Sequence, residues 1–537
     1  MIKVYLLLCA IFFISFVFAQ EDLPKDYLTK EFHQGRREAL RNLIPANSVA
    51  VIFSYPLRVF SKDVNYLYHQ NPDLYYFSGY NEPNAVLFIF KENQTAKDNK
   101  TYNELFFVQK RNPLREKWTG RRLGAEGVKS KLGFDVVYEG GGFKSFPLDF
   151  LKFDKIFIDA LPNDINDDPQ DSADLYDLVE TFKQKINLPQ DYDNAIAETI
   201  SEIKQDARPS NMTGFINYVK TLTDNSAKFA KHPVINEFIN LKDTVELKKF
   251  LSRLNASDTS KVSTGLNSMV ASLREIKTPE EIVLMRKCID ISSIAHAEAM
   301  KAVKPGMSET EVQGLQEYVH KKYGAEYVGY PSIVGAGENG CILHYEENNR
   351  TKLGNDLLLM DVGAEYHGYS ADVTRTIPAN GKFSAEQKAI YNLVYEAQEE
   401  IFKLCKEGNP FSDLNKKAKE VLANGLIKLG IIKDIKDVGI YYPHGCSHHL
   451  GLDVHDKSNY GTLKANMVIT VEPGIYIPAN SPCDKKWWSI GVRIEDDVVI
   501  GKEKCELLSS LAPRKAEEIE KKIAEKSAVD DFVLPGL

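Results

Sequence analysis

Four acidic side chains in the second half of the chain stand where a buried strand would ordinarily carry Val or Ile, and no other feature constrains the fold as much. "DLLLMDVGAEYHGYSADVTRTIP" ends an apolar run at Asp361 and places Asp372, eleven residues later, in a second run across a turn at His367-Gly368. "MVITVEPGIYI" ends another run at Glu472, and "GVRIEDDVVI" holds Glu495 within one. Two adjacent strands would bring Asp361 and Asp372 to one sheet position. Such a carboxylate is costly to bury unless a cation or hydrogen bonds compensate it. Four together would raise one another's pKa values and resist ionising at once. Two divalent cations remove the conflict, because they offset four carboxylates.

A nitrogen ligand is at hand. "YYPHGCSHHLGLDVHDKSNYG" packs four histidines into a dozen residues of a chain that has eleven, and His448 can supply the imidazole. Oxygen-rich ligation with one imidazole suits Mn²⁺, with Co²⁺ or Zn²⁺ as alternatives, and argues against a Cys-built zinc site. Metals ~3.5 to 4 Å apart with a bridging hydroxide would provide a hydrolytic nucleophile at neutral pH. Taken singly, each acid would be a turn residue or ion-pair partner, and each histidine a packed or surface residue. The five together, each beside an apolar strand and near small residues, carry the metal reading.

The surrounding pattern is an α+β domain. Thr278, Pro279 and Glu281 predict an N-cap, first turn and capping box, followed by Ile291, Ile294, Ala295, Met300 and Val303 at helical spacing up to Pro305-Gly306. Ser384 and Gln387 predict a second capped helix, ending near Gly408. Each is followed by a Gly/Pro turn, a Ser cap ("KPGMSETE", "EGNPFSDL"), another helix and strand-like runs. The repetition suggests an internally duplicated domain over 273–515. Upstream, runs such as "SVAVIFS", "AVLFIF", "ELFFVQ" and "KIFIDA" predict an α/β domain over 20–272. The acidic "LPNDINDDPQDSADL" opens a stretch around 161–230 that reads as an insertion, with a linker following it; 516–537 read as a polar tail.

Charge and cysteine content narrow the class further. A net charge of −8 without basic blocks removes the electrostatic footprint of a nucleic-acid binder. The opening "MIKVYLLLCAIFFISFVFA" reads as a cleaved secretory signal over 1–19, its apolar run being short of the ~20 residues of a span. Export to the extracellular space or periplasm, and no membrane span after cleavage, are the corresponding expectations. Cys288, Cys341, Cys405, Cys446, Cys483 and Cys505 are spaced like buried thiols rather than a disulfide framework, with one disulfide left open. Asn93, Asn99, Asn211, Asn255 and Asn349 head glycosylation sequons, relevant in a glycosylating host.

The quoted acid and histidine motifs, with "TVEPG" and "RIEDD", closely resemble the proline-specific metallopeptidases of the pita-bread fold. "NPDLYYFSGYNEPNAVLFI", "KWTGRRLG" and "VGAGENGCILHYEENN" make the chain look most like the aminopeptidase P family, from about Arg36 to Arg514. The resemblance implies an α/β N-terminal domain plus an α+β pita-bread catalytic domain with two divalent ions. It implies that Asp361 binds one ion, Asp372 and Glu495 bridge both, and His448 and Glu472 complete the second. His344, His444 and His455 match substrate-binding positions, Arg493 a supporting one, and Tyr476 either a supporting or a packed residue. His449 would be a structural neighbour, and Cys341 and Cys446 small packing residues. Trp118 would either lean over a neighbouring subunit's site or sit in the core. The implied activity is release of the N-terminal residue from peptides with proline second, by a metal-bridged hydroxide with Glu472 as proton shuttle, in a homodimer or homotetramer. Prolidase, which cuts only Xaa-Pro dipeptides, is the alternative; an inactive peptide-binding pita-bread protein is a further one.

Overall fold

The computed structural model describes residues 25–95, 101–189, 192–256 and 261–531. The expected leader at 1–19 and the sequon at Asn99 lie outside them. Asn93, Asn211, Asn255 and Asn349 are at the surface. Among the described residues, no helix is long and apolar enough to cross a membrane.

The N-terminal half is built on a six-stranded sheet. Its spatial order is Val137–Glu139, Thr101–Val108, Val86–Thr95, Ser48–Phe53, Lys155–Ile158 and Val262–Ser263. Ser48–Phe53 is buried on both faces, and its alternation separates two cores. Val49, Val51 and Phe53 join an aromatic cluster with Phe88, Phe107, Phe150 and Phe182. Ala50 and Ile52 point the other way, into a cluster that also holds Leu284, Ile289, Tyr366 and Leu452 from the C-terminal half. The two halves therefore share a core.

The middle of the chain differs from the expected insertion and linker. Helices continue from Leu175–Lys185 to Thr244–Ala256, and Ile203, Val219, Ile235, Phe238, Leu247 and Phe250 form a small core of their own. The chain then returns to the sheet, where Val262–Ser263 pairs parallel to Lys155–Ile158. A parallel pair requires a crossover, and the helical stretch provides it.

In the C-terminal half, Thr278 and Glu281 form the expected reciprocal cap of helix Pro279–Ala302, and Ser384 with Gln387 that of Ala385–Phe402. Ser308 caps Glu309–Lys322. Ser412 does not act as a cap: the backbone is already helical at Phe411, so Ser412 is the first residue of Ser412–Lys428. The tail also departs from expectation, since Ala516–Ile523 is a helix that buries Ala516 and Ile519 in the catalytic core.

Strand Leu357–Val362 pairs antiparallel with Ile333–Ala336 and with Val373–Pro378. Between Leu357–Val362 and Val373–Pro378, Ala364–Tyr366 and Tyr369–Ser370 form a hairpin turned at His367 (φ 50°) and Gly368 (φ 85°), two successive left-handed residues as a tight hairpin demands. The second half repeats the layout, with Val468–Val471 on Asp496–Val499 and Gly474–Ile477 on Ile490–Arg493. A bridge between Thr374 and Glu495 joins the two repeats. All six described cysteines are free. Trp118 is 90 % exposed, so it lies at the surface and not in the core.

Candidate metal centre and substrate cavity

Strand pairing collects the acids. Asp361 lies opposite Thr374 in the Leu357–Val362 ladder, which sets it beside Asp372 just ahead of the partner strand. Glu495 meets Thr374 through the inter-repeat bridge, and Thr374 Oγ1 donates to Glu495 Oε2 at 2.6 Å. Glu472 follows strand Val468–Val471, and its N–H donates to the Cys446 carbonyl, tying that strand end to the histidine segment. His448 N–H donates to Thr470 Oγ1. His448 Nε2 is then 3.3 Å from Asp372 Oδ2 and 3.7 Å from Glu472 Oε1. One ligand atom each of Asp372, His448 and Glu495 fall within 4.8 Å of one another.

All these groups line one cavity of about 430 Å³, together with His344, His444, His455, Arg493 and Tyr330. The His455 ring lies 4.2 Å from that of His448. His444 Nε2 is 2.9 Å from Tyr476 Oη, which accepts from Arg493 Nη1 at 3.0 Å. Arg493 also donates to Asp361 Oδ2 at 2.5 Å and to Thr374 Oγ1 at 3.1 Å. Every residue singled out from the sequence as ligand, substrate contact or support is thus brought to one place. His449 points away, stacked on Phe411. Cys341 and Cys446 do not line the cavity.

Three participants carried no sequence signal. Tyr330 Oη sits between Asp361 Oδ1 (2.5 Å) and Asp372 Oδ1 (2.7 Å). Thr374 links Arg493 to Glu495. Asp497, third acid of the "EDD" run, accepts from the Asp372 N–H, while its other oxygen is buried without a partner. Nothing in "VGYPSIV" marks Tyr330; its place follows only once the strands are paired.

The electrostatics describe a slot short of positive charge. Burial, then the neighbouring carboxylates, push Glu495 well above its ordinary range. Burial likewise raises Glu472 to about 7, against the pull of His448. Burial, partly opposed by Arg493 and reinforced by Asp372, raises Asp361. Asp372 alone among the four falls: burial raises it, but the hydrogen bond and charge of His448, with Tyr330 and Arg493, together outweigh that. His448 responds in kind: burial pulls it down, but Asp372 and Glu472 lift it to about 9. Four carboxylates face one guanidinium and one imidazole, a donor set of hard oxygens plus one nitrogen that divalent ions fit.

Comparison with known proteins agrees with this geometry. Residues 283–502 match the model of metallopeptidase family M24, and residues 33–155 match the aminopeptidase P N-terminal domain. The chain is 32% identical to the Xaa-Pro aminopeptidase of Escherichia coli strain K12, over 92% of this chain and 97% of that one. It is 31% identical to the Xaa-Pro aminopeptidase of Haemophilus influenzae, over 93% and 97%. The solved structure of aminopeptidase P from E. coli with the inhibitor Pro-Leu superposes with a TM-score of 0.69 at 31% identity, covering 93% of this chain and 98% of that one.

Proposed function

The chain belongs to metallopeptidase family M24, and from that premise we infer that it is an Xaa-Pro aminopeptidase, a hydrolase that releases the N-terminal residue from peptides with proline in second position. The observation that carries this is the convergence of three buried carboxylates, the partly buried Glu472 and one imidazole in a histidine-lined cavity, in a chain whose N-terminal domain is of the aminopeptidase P type. That N-terminal match, with full-length similarity to Xaa-Pro aminopeptidases, favours this reading over prolidase.

Asp361 would hold one divalent ion, Asp372 and Glu495 would bridge two, and His448 with Glu472 would complete the second. Mn²⁺ is the preferred identity, with Co²⁺ or Zn²⁺ as alternatives. When bound, such a pair supplies an activated water and polarises a carbonyl. The chain's own groups do the rest. A bond before proline is a tertiary amide, so the leaving nitrogen has no hydrogen and must be protonated. Glu472, at the end of its strand and facing His444 Nδ1 at 3.7 Å, is placed to take the nucleophile's proton and return it to the proline nitrogen. His344 and His455 would donate to substrate carbonyls and the developing oxyanion, and His444, whose ring nitrogens meet Tyr476 and the Gly445 carbonyl, would exchange one of those bonds to do the same. Arg493 and Tyr476 fix the His444 ring before charge develops.

The Val59–Ser61 and Val64–Asn65 hairpin exposes Phe60 and nearby Tyr66 and Leu67, and Trp118 lies bare close by, which supports a homodimer or homotetramer; light scattering on the purified protein reads it. Export follows from the leader alone, and N-terminal sequencing of the secreted protein tests it. The activity is tested by mass spectrometry of Arg-Pro-Pro and Gly-Pro digests after Mn²⁺ loading. Release of Arg from the tripeptide with little dipeptide cleavage is expected; dipeptide-only cleavage would make the chain a prolidase. Silence on both with metal bound would make it a binding protein. Glu472→Gln is expected to lose about 10²- to 10⁴-fold in kcat.

A further inference from the structure

His455 stands in residues 451–457, "GLDVHDK", a stretch with neither helix nor strand to hold it. Its neighbours are instead tied into a buried ionic network that crosses between the two halves of the molecule. Arg274, at the end of helix Leu266–Arg274, donates through Nη2 to Asp453 at 2.8 Å and also to Asp456, and through Nη1 to Asp73 at 2.6 Å. Lys277 donates to Asp456 at 2.7 Å. Lys457 reaches Asp73 at 2.7 Å and Asp159 at 2.6 Å. Asp73 lies in the first turn of helix Pro72–Ser78, and Asp159 follows strand Lys155–Ile158, both in the N-terminal half.

Burial makes the arrangement stiff. Asp73 and Arg274 are each 1% exposed, Lys277 2% and Asp456 3%. The loop also closes on itself: a Cβ at Gly451 would lie 2.1 Å from Asp456 Oδ2, so only glycine lets the backbone pass over the network. Three cations and four anions here fix residues 453, 456 and 457, on both sides of His455. Buried ion pairs are poor sources of net stability compared with apolar packing, so their retention fits a demand for position.

We propose that this network is a positioning device, through which Asp73 and Asp159 of the N-terminal half, acting by way of Arg274 and Lys457, hold His455 at the substrate. The proposal rests on the reading of His455 as a substrate contact. Asp73, Asp159, Arg274 and Lys457 are positioning residues, since none lines the cavity. The N-terminal half then contributes to turnover within a single chain, through the loop.

The test is a double-mutant cycle. Asp73→Asn and Lys457→Met are made in the wild type and in His455→Ala, and kcat and KM for Arg-Pro-Pro are read with bound metal and thermal midpoint. A misplaced catalytic contact costs up to about 10²-fold, so each single change is expected to lower kcat roughly 10- to 100-fold with metal retained. In the His455→Ala background the further loss should fall below about 2-fold, because the group being positioned is gone. Lys457→Arg should restore most of the activity. Equal losses in both backgrounds, or no loss from Lys457→Met, would overturn the proposal. Lys457 is the safer site, since its side chain is 22% exposed and the fold does not close over it. Hydrogen exchange across 451–457 reads the same device without turnover: Lys457→Met should speed exchange there, and unchanged protection overturns the anchoring. An inactive wild type would instead refute the assigned activity and leave exchange to decide.

Discussion

At the scale of single residues, the acids were legible because they break a rule. A mostly apolar run that ends in Asp361 or Glu472 needs a compensating cation or hydrogen bonds, and that argument requires no structure. Tyr330 was not legible, because a tyrosine before a strand breaks no rule; what it does comes from a register that sets it between Asp361 and Asp372. A neutral phenol there donates one hydrogen at a time to two carboxylates that the proposed metal pair would need ionised. Burial and the flanking carboxylates push its own pKa far up, so it remains a donor at every working pH. Groups that orient ligand carboxylates typically matter about 10- to 100-fold for metal affinity. Tyr330→Phe is therefore expected to weaken Mn²⁺ binding by about that factor with the fold retained, as titration calorimetry would read; unaltered affinity would reduce Tyr330 to a packing residue.

At the scale of elements, the two carboxylates from the first repeat depend on how closely one hairpin returns to its own root. Gly363 follows strand Leu357–Val362, and a Cβ there would lie 1.9 Å from the Ala371 carbonyl oxygen and 2.8 Å from the Tyr330 ring. The clash is with backbone, which cannot swing aside as a side chain would. Gly363→Ala must part the strands that bring Asp361 and Asp372 together, and overpacking of this kind costs about 1 to 3 kcal/mol. A fall in thermal midpoint together with loss of metal is expected. A fall in midpoint with metal binding intact would show the strain relaxing away from the ligands. The capped helices at Thr278 and Ser384 were readable because a capping box is local chemistry. The helices up to Thr244–Ala256 read only as helical periodicity without bounds, because residues that meet in their small core, such as Ile203 and Phe250, lie far apart in the chain.

At the scale of the whole molecule, the two halves were visible as a change of pattern, but their union was not. Asp73 and Arg274 are about two hundred residues apart, and no periodicity announces that they meet. The shared interior leaves a measurable imprint on pH stability, because it holds imidazoles away from water in both halves. Burial is the main cause that lowers His33, His320 and His449 to about 4 and His296 to about 3. An unfolded imidazole titrates near 6.5. Between those values the unfolded chain binds more protons than the native one, so the contribution of these four groups is complete above pH ~6.5 and is lost as pH falls toward 4. His367 runs the other way: its carboxylate partners Glu326 and Asp26 overcome burial and raise it, so its contribution is present below pH ~6.5 and fades as pH rises through the folded value. His69, raised by its hydrogen bond to Glu365, runs the same way as His367, and in metal-free protein so do His448, Glu472 and Glu495, so the four lowered imidazoles are best read by difference; each is worth about 3 kcal/mol once the native state too is protonated. Against a typical domain stability of about 5 to 15 kcal/mol, even two of these contributions are a large share. With His296 and His320 replaced by Gln, the fall in thermal midpoint from pH 7.5 to 4.5 should be smaller than in the wild type, with about two fewer protons taken up on unfolding. The same pH dependence in the variant and the wild type would mean that these imidazoles are hydrated in solution and that the core around them is looser than its packing implies.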